Sequence, residues 1–290
     1  MNVLRVSLIT CLISFISHAQ SHHWSNNLLS IISDLPGISE TVDVKADHWE
    51  HTVFNAYKDV DVEYPIQLKF DDSLYAAPIG KEMVVTSRYG WRRGRAHKGI
   101  DIDLITGDEV KAMLGGVVRF ARYNSGHGRT VIVRHFNGLE TAYAHLSKYA
   151  VKENDTVVAG QVLGKGGATG NARGSHLHLV VSYKGIAINP EYIFDFSENN
   201  KIRAQELWVT KRWTTPYLHS SRQRTKPELF GTLDEALASY TREKKIYIVK
   251  KGDTLSAISK RNNVSIRSIV VANNLKNASK IRVGQRLVID

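Results

Sequence analysis

The sequence predicts a mainly β domain with an antiparallel sheet over residues 75–196, followed by a small α+β domain of order β-α-α-β over residues 246–290. Short runs of alternating or β-branched residues, separated by glycines, predict the sheet. In the second domain two helical patterns lie between two strand-like runs, and Asp253 and Ser265 are placed to cap the two helices. The composition, 42% hydrophobic and 23% charged, is that of a globular protein.

The first nineteen residues predict a secretory signal peptide. Arg5 precedes an apolar run at residues 6–16, and Ser17-His18-Ala19 matches the small-x-small pattern of a cleavage site. The run is too short to cross about 30 Å of hydrocarbon at about 1.5 Å per residue, so we expect no membrane span. Export to the periplasm, cell wall or extracellular space is expected instead. The only cysteine, Cys11, lies in this stretch, which excludes a disulfide framework and a cysteine-ligated zinc site in the mature chain.

Two further segments adjoin the predicted β domain. Residues 20–74 form an N-terminal segment that is partly helical, because apolar residues fall at helical spacing over residues 24–35 before Pro36-Gly37 ends the pattern. This helix either packs on the main domain or acts as a propeptide or inhibitory lid. Residues 197–245 are interpreted as a basic connector with one helix near residues 233–240.

The chain is strongly basic, with 39 Lys and Arg against 28 Asp and Glu and a formal net charge of +11. Such a surface favours anionic partners, and nucleic acid, anionic lipid and an acidic cell-wall polymer all meet that description. Export and the absence of a recognition motif argue against nucleic acid. The glycine clusters lack the strand and helix context of a phosphate-binding loop, so no cofactor-binding residues of that kind are expected.

Three short clusters hold the candidates for chemistry: His97 with Asp101, His145 alone, and His176 with His178. Zinc accepts neutral imidazole nitrogen and carboxylate oxygen, and a catalytic zinc site has three protein ligands and one water. His97, Asp101 and one member of the pair His176 and His178 would complete that count. The spacing leaves open which member binds, and whether both do. A histidine that does not bind, together with His145, would act as a base or a donor beside the metal.

The geometry at His97 and Asp101 depends on Gly99. On a straight strand the two side chains would lie about 13 Å apart, at about 3.3 Å per residue, and could not share a metal. We expect His97 to belong to the incoming turn, with the conformational freedom of Gly99 letting the chain fold back over the strand end. His176 and His178 alternate with leucines, so on a strand both imidazoles face one pocket. Five other histidines are assigned to the fold as hydrogen-bonded side chains: His48, His51, His127, His135 and His219.

The three clusters also carry a family resemblance. His97-x-Gly99-x-Asp101, Tyr143-Ala144-His145-Leu146 and His176-Leu177-His178 resemble, in order and spacing, the motifs of the lysostaphin-type or LytM-type zinc metallopeptidases of bacterial cell walls. The resemblance extends from about residue 83 to residue 190. Ser175 and Leu179 stand where proline and phenylalanine are usual in that family.

The resemblance implies a lysostaphin-type fold for the β domain and one zinc ion, held by His97, Asp101 and His178. It implies that His145 and His176 flank the water and the scissile carbonyl without binding the metal, and that the reaction is hydrolysis of a peptide bond in peptidoglycan stems or cross-bridges. Some relatives that have lost ligands act as amidase activators, whereas this chain retains all five positions.

The C-terminal domain resembles a LysM domain over nearly its full length, through residues 247–255, 273–275 and 281–285. That family binds glycans that contain N-acetylglucosamine, so the domain is expected to raise the local concentration of substrate. The sequence as a whole predicts an exported zinc endopeptidase that cuts peptidoglycan peptides and is targeted to the wall by its LysM domain. The alternative is a peptidoglycan-binding protein without catalysis that regulates or activates another cell-wall hydrolase.

Overall fold

The computed structural model describes residues 43–70, 75–92, 94–241, 245–275 and 281–289. The predicted signal peptide at residues 1–19 and the predicted helix at residues 24–35 lie outside the described residues. In the part of the chain that is described, no helix is both long enough and apolar enough to span a bilayer.

The described elements are mostly short strands. In chain order the strands are β1 Ile66–Lys69, β2 Val85–Ser87, β3 Gly90–Arg92, β4 Arg95–His97, β5 Ile100–Asp103, β6 Glu109–Lys111, β7 Gly116–Asn124, β8 Gly128–His135, β9 Leu139–Leu146, β10 Lys148–Tyr149, β11 Thr156–Val157, β12 Val162–Lys165, β13 His176–Tyr183, β14 Ile186–Ile188, β15 Phe194–Asp195, β16 Lys201–Ile202, β17 Glu206–Val209, β18 Lys245–Ile248 and β19 Arg286–Ile289. The helices are α1 Pro190–Ile193, α2 Leu233–Thr241, α3 Leu255–Asn262 and α4 Ile266–Ala272.

One eight-stranded antiparallel sheet dominates the molecule. Its order is β11-β7-β8-β9-β13-β5-β2, with β14 paired to β13. The central strand β13 runs between β9 and β5, so that His178 is paired with Ala144 on one side and with Asp101 on the other. This confirms the prediction of a mainly β, antiparallel domain, and it brings the three predicted clusters to adjacent strands.

The core explains the alternation that the sequence displays. Leu177 and Leu179 are fully buried among the apolar side chains of the main domain, and Ile100 and Ile102 join them from β5. Successive side chains of a strand point to opposite faces, so the residues between these core positions face away from the core. His178 and Asp101 therefore emerge on the same face of the sheet.

The segment that precedes β1 is fixed to the sheet by buried ion pairs. The Arg119 and Arg134 side chains, both almost fully buried, share the carboxylate of Glu140 at 2.6 and 2.9 Å. Their remaining N–H groups donate to backbone carbonyls of residues 44–54. Burial of a guanidinium without hydrogen-bond acceptors costs free energy. The carbonyls of this segment supply the acceptors that the two arginines would otherwise lack.

The described residues 197–241 fold onto the main domain. β17 pairs with β1, and Trp213 and Phe230 are buried in the same core as the central sheet. Helix α2 covers residues 233–241, in agreement with the predicted helix.

The C-terminal domain has the predicted β-α-α-β order and a core of its own. β18 and β19 pair in antiparallel fashion, and α3 and α4 lie between them in the chain. Ser265 caps α4 as predicted, accepting a hydrogen bond from the Ser268 N–H at 2.8 Å. The predicted cap of α3 is wrong: Thr254 caps that helix, while the Asp253 carboxylate accepts from the Tyr247 hydroxyl and from the Lys250 N–H.

Candidate metal centre

A break between two strands brings His97 to Asp101. His97 is the last residue of β4 and Asp101 lies in β5, and the turn between them places His97 Nε2 3.1 Å from Asp101 Oδ1. The His97 Nδ1–H donates to the Arg88 carbonyl at 2.7 Å, which leaves a lone pair on Nε2. The two residues are not on one straight strand, as expected, but His97 ends strand β4 and does not belong to the turn, which was the position predicted for it.

Gly99 enables this arrangement for a different reason from the one expected. A Cβ atom at Gly99 would lie 2.4 Å from the Leu179 carbonyl oxygen and 2.9 Å from His178 Cε1. Its backbone does not adopt a positive φ. Close approach of β13, and not conformational freedom, is therefore what requires glycine here.

Three donor atoms converge at this point. His178 Nδ1 lies 2.7 Å from Asp101 Oδ1 and 3.1 Å from His97 Nε2. In the described part of the chain, His97, Asp101 and His178 are the one group of three or more His, Cys, Asp or Glu residues whose arrangement could hold a metal ion. The lone pairs of His97 Nε2 and Asp101 Oδ1 face each other at 3.1 Å, which is repulsive unless a cation lies between them. The donor set therefore fits a metal ion.

Electrostatics favour the protonation states that a metal needs at two of these groups, Asp101 and His178. Burial by itself would raise the pKa of Asp101, but the close contacts of its carboxylate with the rings of His178 and His97 outweigh burial and hold that pKa far below its usual range. Burial lowers the pKa of His178 to about 4, against the opposing effect of Asp101. At neutral pH the carboxylate is ionised and the His178 ring is neutral.

Arg92 is part of the site, and sequence reasoning missed it. Its Nη1 donates to Asp101 Oδ2 at 2.9 Å and to Ser87 Oγ at 2.6 Å. The second carboxylate oxygen is therefore committed, and Oδ1 is the atom that faces the histidines. A partner that orients a ligand in this way is a usual feature of metal sites.

His145 and His176 lie beside the three donor atoms, with ring centroids 4.8 Å apart. The Nδ1–H of His145 donates to the Thr169 carbonyl at 2.7 Å, and that of His176 to the Gly174 carbonyl at 2.9 Å. With Nδ1 as the donor, the neutral form of each ring carries its lone pair on Nε2, and the Nε2 of His176 lies 3.8 Å from Asp101 Oδ1. His145 holds a φ of 64°, a left-handed conformation that is uncommon for a residue with a side chain.

His127 also belongs to this neighbourhood, although its sequence context assigned it to the fold. Its ring lies 5.7 Å from that of His178, and its carbonyl accepts from the His145 N–H at 2.9 Å. Phe54 stacks on its ring at 4.4 Å, and Nδ1 lies 3.0 Å from Asn124 Oδ1. The turn between β7 and β8 lies next to the end of β9, and that topology is the signal by which His127 could have been found.

These residues line a cleft of about 1270 Å³. Its lining contains all five predicted site residues, together with His127, Arg92 and side chains of the C-terminal domain. Imidazoles that hold a backbone carbonyl through Nδ1, a donor set that fits a metal ion and a cleft open to solvent together suit the activation of water and hydrolysis.

Comparisons with known proteins match two parts of the chain to known families. Residues 95–190 match peptidase family M23 and residues 247–290 match the LysM domain. The DD-carboxypeptidase/endopeptidase Mpg of Neisseria meningitidis serogroup B is 38% identical over 112 residues, which are 37% of this chain and 26% of that protein. The murein hydrolase activator NlpD of Salmonella typhimurium is 35% identical over 107 residues, 37% of this chain and 28% of that protein.

The catalytic domain of lysostaphin from Staphylococcus simulans is 31% identical, with a TM-score of 0.34, and the match covers 37% of this chain and 89% of that domain. The chain spans about a quarter of the length of the curated relatives named above. The family resemblance read from the motifs is confirmed: this chain joins a domain of peptidase family M23, at residues 95–190, to a LysM domain at residues 247–290.

Proposed function

We propose that this chain is a zinc-dependent endopeptidase that hydrolyses peptide bonds of peptidoglycan. The observation that carries the proposal is the convergence of His97 Nε2, Asp101 Oδ1 and His178 Nδ1 within 3.1 Å of one another, next to two further histidines whose Nδ1–H groups donate to backbone carbonyls. Three protein donors leave a fourth position open, as in catalytic zinc sites.

His97, Asp101 and His178 would hold the metal. When bound, zinc polarises the scissile carbonyl and acidifies water. The protein's own part is to fix the donors: Arg88 orients His97 through its carbonyl, and Arg92 orients Asp101 through Oδ2. Both contacts hold the donor atoms toward one point before substrate arrives.

His145 and His176 would move the proton. Each donates its Nδ1–H to a backbone carbonyl, so each can accept a proton at Nε2 without a change of tautomer. One of the two takes the proton of the attacking water. The other, when its ring carries a proton on both nitrogens, donates its Nε2–H to the developing oxyanion or to the departing amine. The geometry is the same for both residues in this respect, so His145 and His176 can each take either role.

The role of the LysM domain and the export of the chain are both consistent with peptidoglycan as the substrate. The LysM domain would bind glycan that contains N-acetylglucosamine and so keep the enzyme on the polymer. Residues 1–19 would direct export to the cell envelope or beyond it. The name of the Neisseria relative points first to bonds between D-amino acids.

A second function has one specific observation in its favour. The Salmonella relative, which is 35% identical to this chain over 107 residues, is a murein hydrolase activator. An activator needs the fold and the cleft but not the chemistry. The five site residues of this chain, each with its polar partners, favour the enzyme.

Digestion of purified peptidoglycan separates the two functions. The full chain, a chain that begins at residue 43 and the chelated full chain are each incubated with peptidoglycan, and newly freed amines are identified by mass spectrometry. An enzyme releases a new amine by itself and loses this activity on chelation. A regulator releases none, yet increases release by an added amidase. Trimming stops at residue 43 because the buried Arg119 and Arg134 hold the carbonyls of residues 44–54.

A further inference from the structure

The LysM domain is attached to the peptidase domain close to the metal centre. The Ser265 hydroxyl, which caps α4, also donates to the Tyr217 carbonyl. Tyr217 lies in a short 3₁₀ turn, Pro216–Leu218, and the chain just after this turn is bound to β3 through the Trp91 N–H and the His219 carbonyl, 3.0 Å apart. Gly90 permits this approach, since a Cβ there would lie 2.6 Å from the His219 carbonyl. The first turn of α4 is thereby fixed beside the hairpin that ends at His97.

A second contact joins the two domains directly. The Arg267 guanidinium of α4 lies over the Trp91 ring at 5.5 Å from its centroid, within the range of a cation–π interaction. Trp91 is paired with Ala96, the residue before the metal-site His97. The side chains of the LysM domain that reach the cleft are Ser256, Ser259, Lys260, Ser265, Ile266 and Arg267.

The cleft carries charge of one sign. Eight Lys and Arg side chains line it, against a single carboxylate, that of Asp101. Arg88 pairs with Glu191, and Arg92 pairs with Asp101. The other six form no ion pair with any acidic side chain of the described residues, and all six are exposed: Arg95, Lys98, Arg173, Arg222, Lys260 and Arg267.

We propose that the LysM domain forms one wall of the catalytic cleft, and that Lys260 and Arg267 on this wall act with the cations of the opposite wall to bind the carboxylates of an acidic peptide. This inference rests on the proposed function, because it takes a peptide to be the substrate. Clefts lined by one sign of charge concentrate ligands of the opposite sign, and a guanidinium fork matches a carboxylate in two places. The LysM domain is then a substrate-binding element as well as a glycan-binding one.

The test compares two soluble peptides. One is a fluorescent stem tetrapeptide of peptidoglycan with free carboxylates, and the other is the same tetrapeptide with its carboxylates converted to amides. Binding to the full-length, metal-free chain is followed by fluorescence anisotropy, so that hydrolysis does not interfere. We expect the free acid to bind about tenfold more tightly in 50 mM salt, and the difference to shrink in 500 mM salt because exposed charges are screened.

Variants assign the effect to the LysM wall. Lys260→Gln with Arg267→Gln should weaken binding of the acid about tenfold and leave binding of the amide unchanged. The matched control is Lys251→Gln with Arg282→Gln, two exposed cations of the same domain that do not line the cleft. Both pairs lie on the surface, and circular dichroism verifies that the variants fold.

The outcomes separate this inference from the proposed function. Equal affinity for acid and amide, or an unchanged affinity in the cleft variant, overturns the inference even if the metal-loaded chain cuts peptidoglycan. A carboxylate preference that the cleft variant removes supports the inference even if no hydrolysis is found, in which case the proposed function alone fails. Equal losses in the cleft and control variants would mean that general surface charge causes the binding, and would also overturn it.

Discussion

The Arg92 guanidinium holds Asp101 by the carboxylate oxygen that does not face the histidines. Its Nη1 lies 2.9 Å from Asp101 Oδ2 and also 2.6 Å from Ser87 Oγ, while Asp101 Oδ1 lies 2.7 Å from His178 Nδ1. The carboxylate is thus fixed in orientation before any metal binds. Removing such a partner from a metal site typically costs about 10–100-fold in metal affinity or activity.

Replacement of Arg92 by glutamine should therefore lower zinc affinity by about 10–100-fold while the fold persists. The measurement is competition with a chromophoric chelator. Arg95→Gln is the matched control, because Arg95 is exposed on the adjacent strand and makes no contact with Asp101. Equal affinities for the two variants would contradict the orienting role.

The division between metal ligands and proton carriers is tested by five alanine variants. His97→Ala, Asp101→Ala and His178→Ala should lose zinc and activity together. His145→Ala and His176→Ala should retain near-stoichiometric zinc and lose at least about 10²-fold in rate, the lower end for a positioned acid or base. Metal analysis of folded protein decides the question. If His176→Ala loses zinc and His178→Ala retains it, the assignment of His176 and His178 is reversed. If both of these variants lose zinc, the site has four protein ligands.

The local residue pattern was sufficient to predict the antiparallel sheet and the clusters of candidate ligands. Alternation in β13 and β5 predicts which side chains leave the core, and Ser265 was identified as a cap because capping depends on residues a few positions apart. Asp253 was misassigned because Thr254 satisfies the same capping preference one residue later.

The features that the sequence did not predict depend on contacts between residues far apart in the chain, which the periodicity of the sequence does not encode. Arg92 is one of many arginines in a basic sequence, and only the fold places it on Asp101. His127 lacked a partner in its own motif, yet the β7–β8 turn carries it to His145. The LysM domain was expected to raise the local concentration of substrate, and its contact through Arg267 with Trp91 has no signature in sequence.

Substitution of Gly99 by alanine tests the close approach of β13 to the turn after His97. The added Cβ would lie 2.4 Å from the Leu179 carbonyl oxygen and 2.9 Å from His178 Cε1. Relief of this overlap requires a shift of β13 or of the turn at Gly99, and either shift would disturb His178. We expect a loss of about 1–3 kcal/mol in the free energy of unfolding and weaker zinc binding. Urea unfolding of the metal-free chain gives the first quantity. Gly80→Ala is the control, since its Cβ would meet only the end of the Lys111 side chain at 3.8 Å, and a similar loss there would argue against the steric explanation.

The stability of the metal-free chain should fall as pH falls from 7 to 5, because His135 is buried in the neutral form. Burial lowers its pKa to about 4, against the raising effects of the Gly115 carbonyl and Glu140. The ring is held by the Gly115 carbonyl at 2.9 Å and Thr141 Oγ1 at 2.7 Å. Between pH 4 and pH 6.5 the unfolded chain binds a proton at this residue that the native chain does not, so the free energy of unfolding rises with pH in this window.

For His135 alone the loss between pH 7 and pH 5 amounts to about 2 kcal/mol. His135→Asn removes the titrating group and should reduce the pH dependence of unfolding by that amount, whatever its effect on stability at pH 7. Urea denaturation at both pH values, followed by tryptophan fluorescence, provides the comparison. His51→Asn is the control, because His51 is only partly buried whereas His135 is buried. An unchanged pH dependence in the His135 variant would mean that this ring is protonated in the native chain at pH 5.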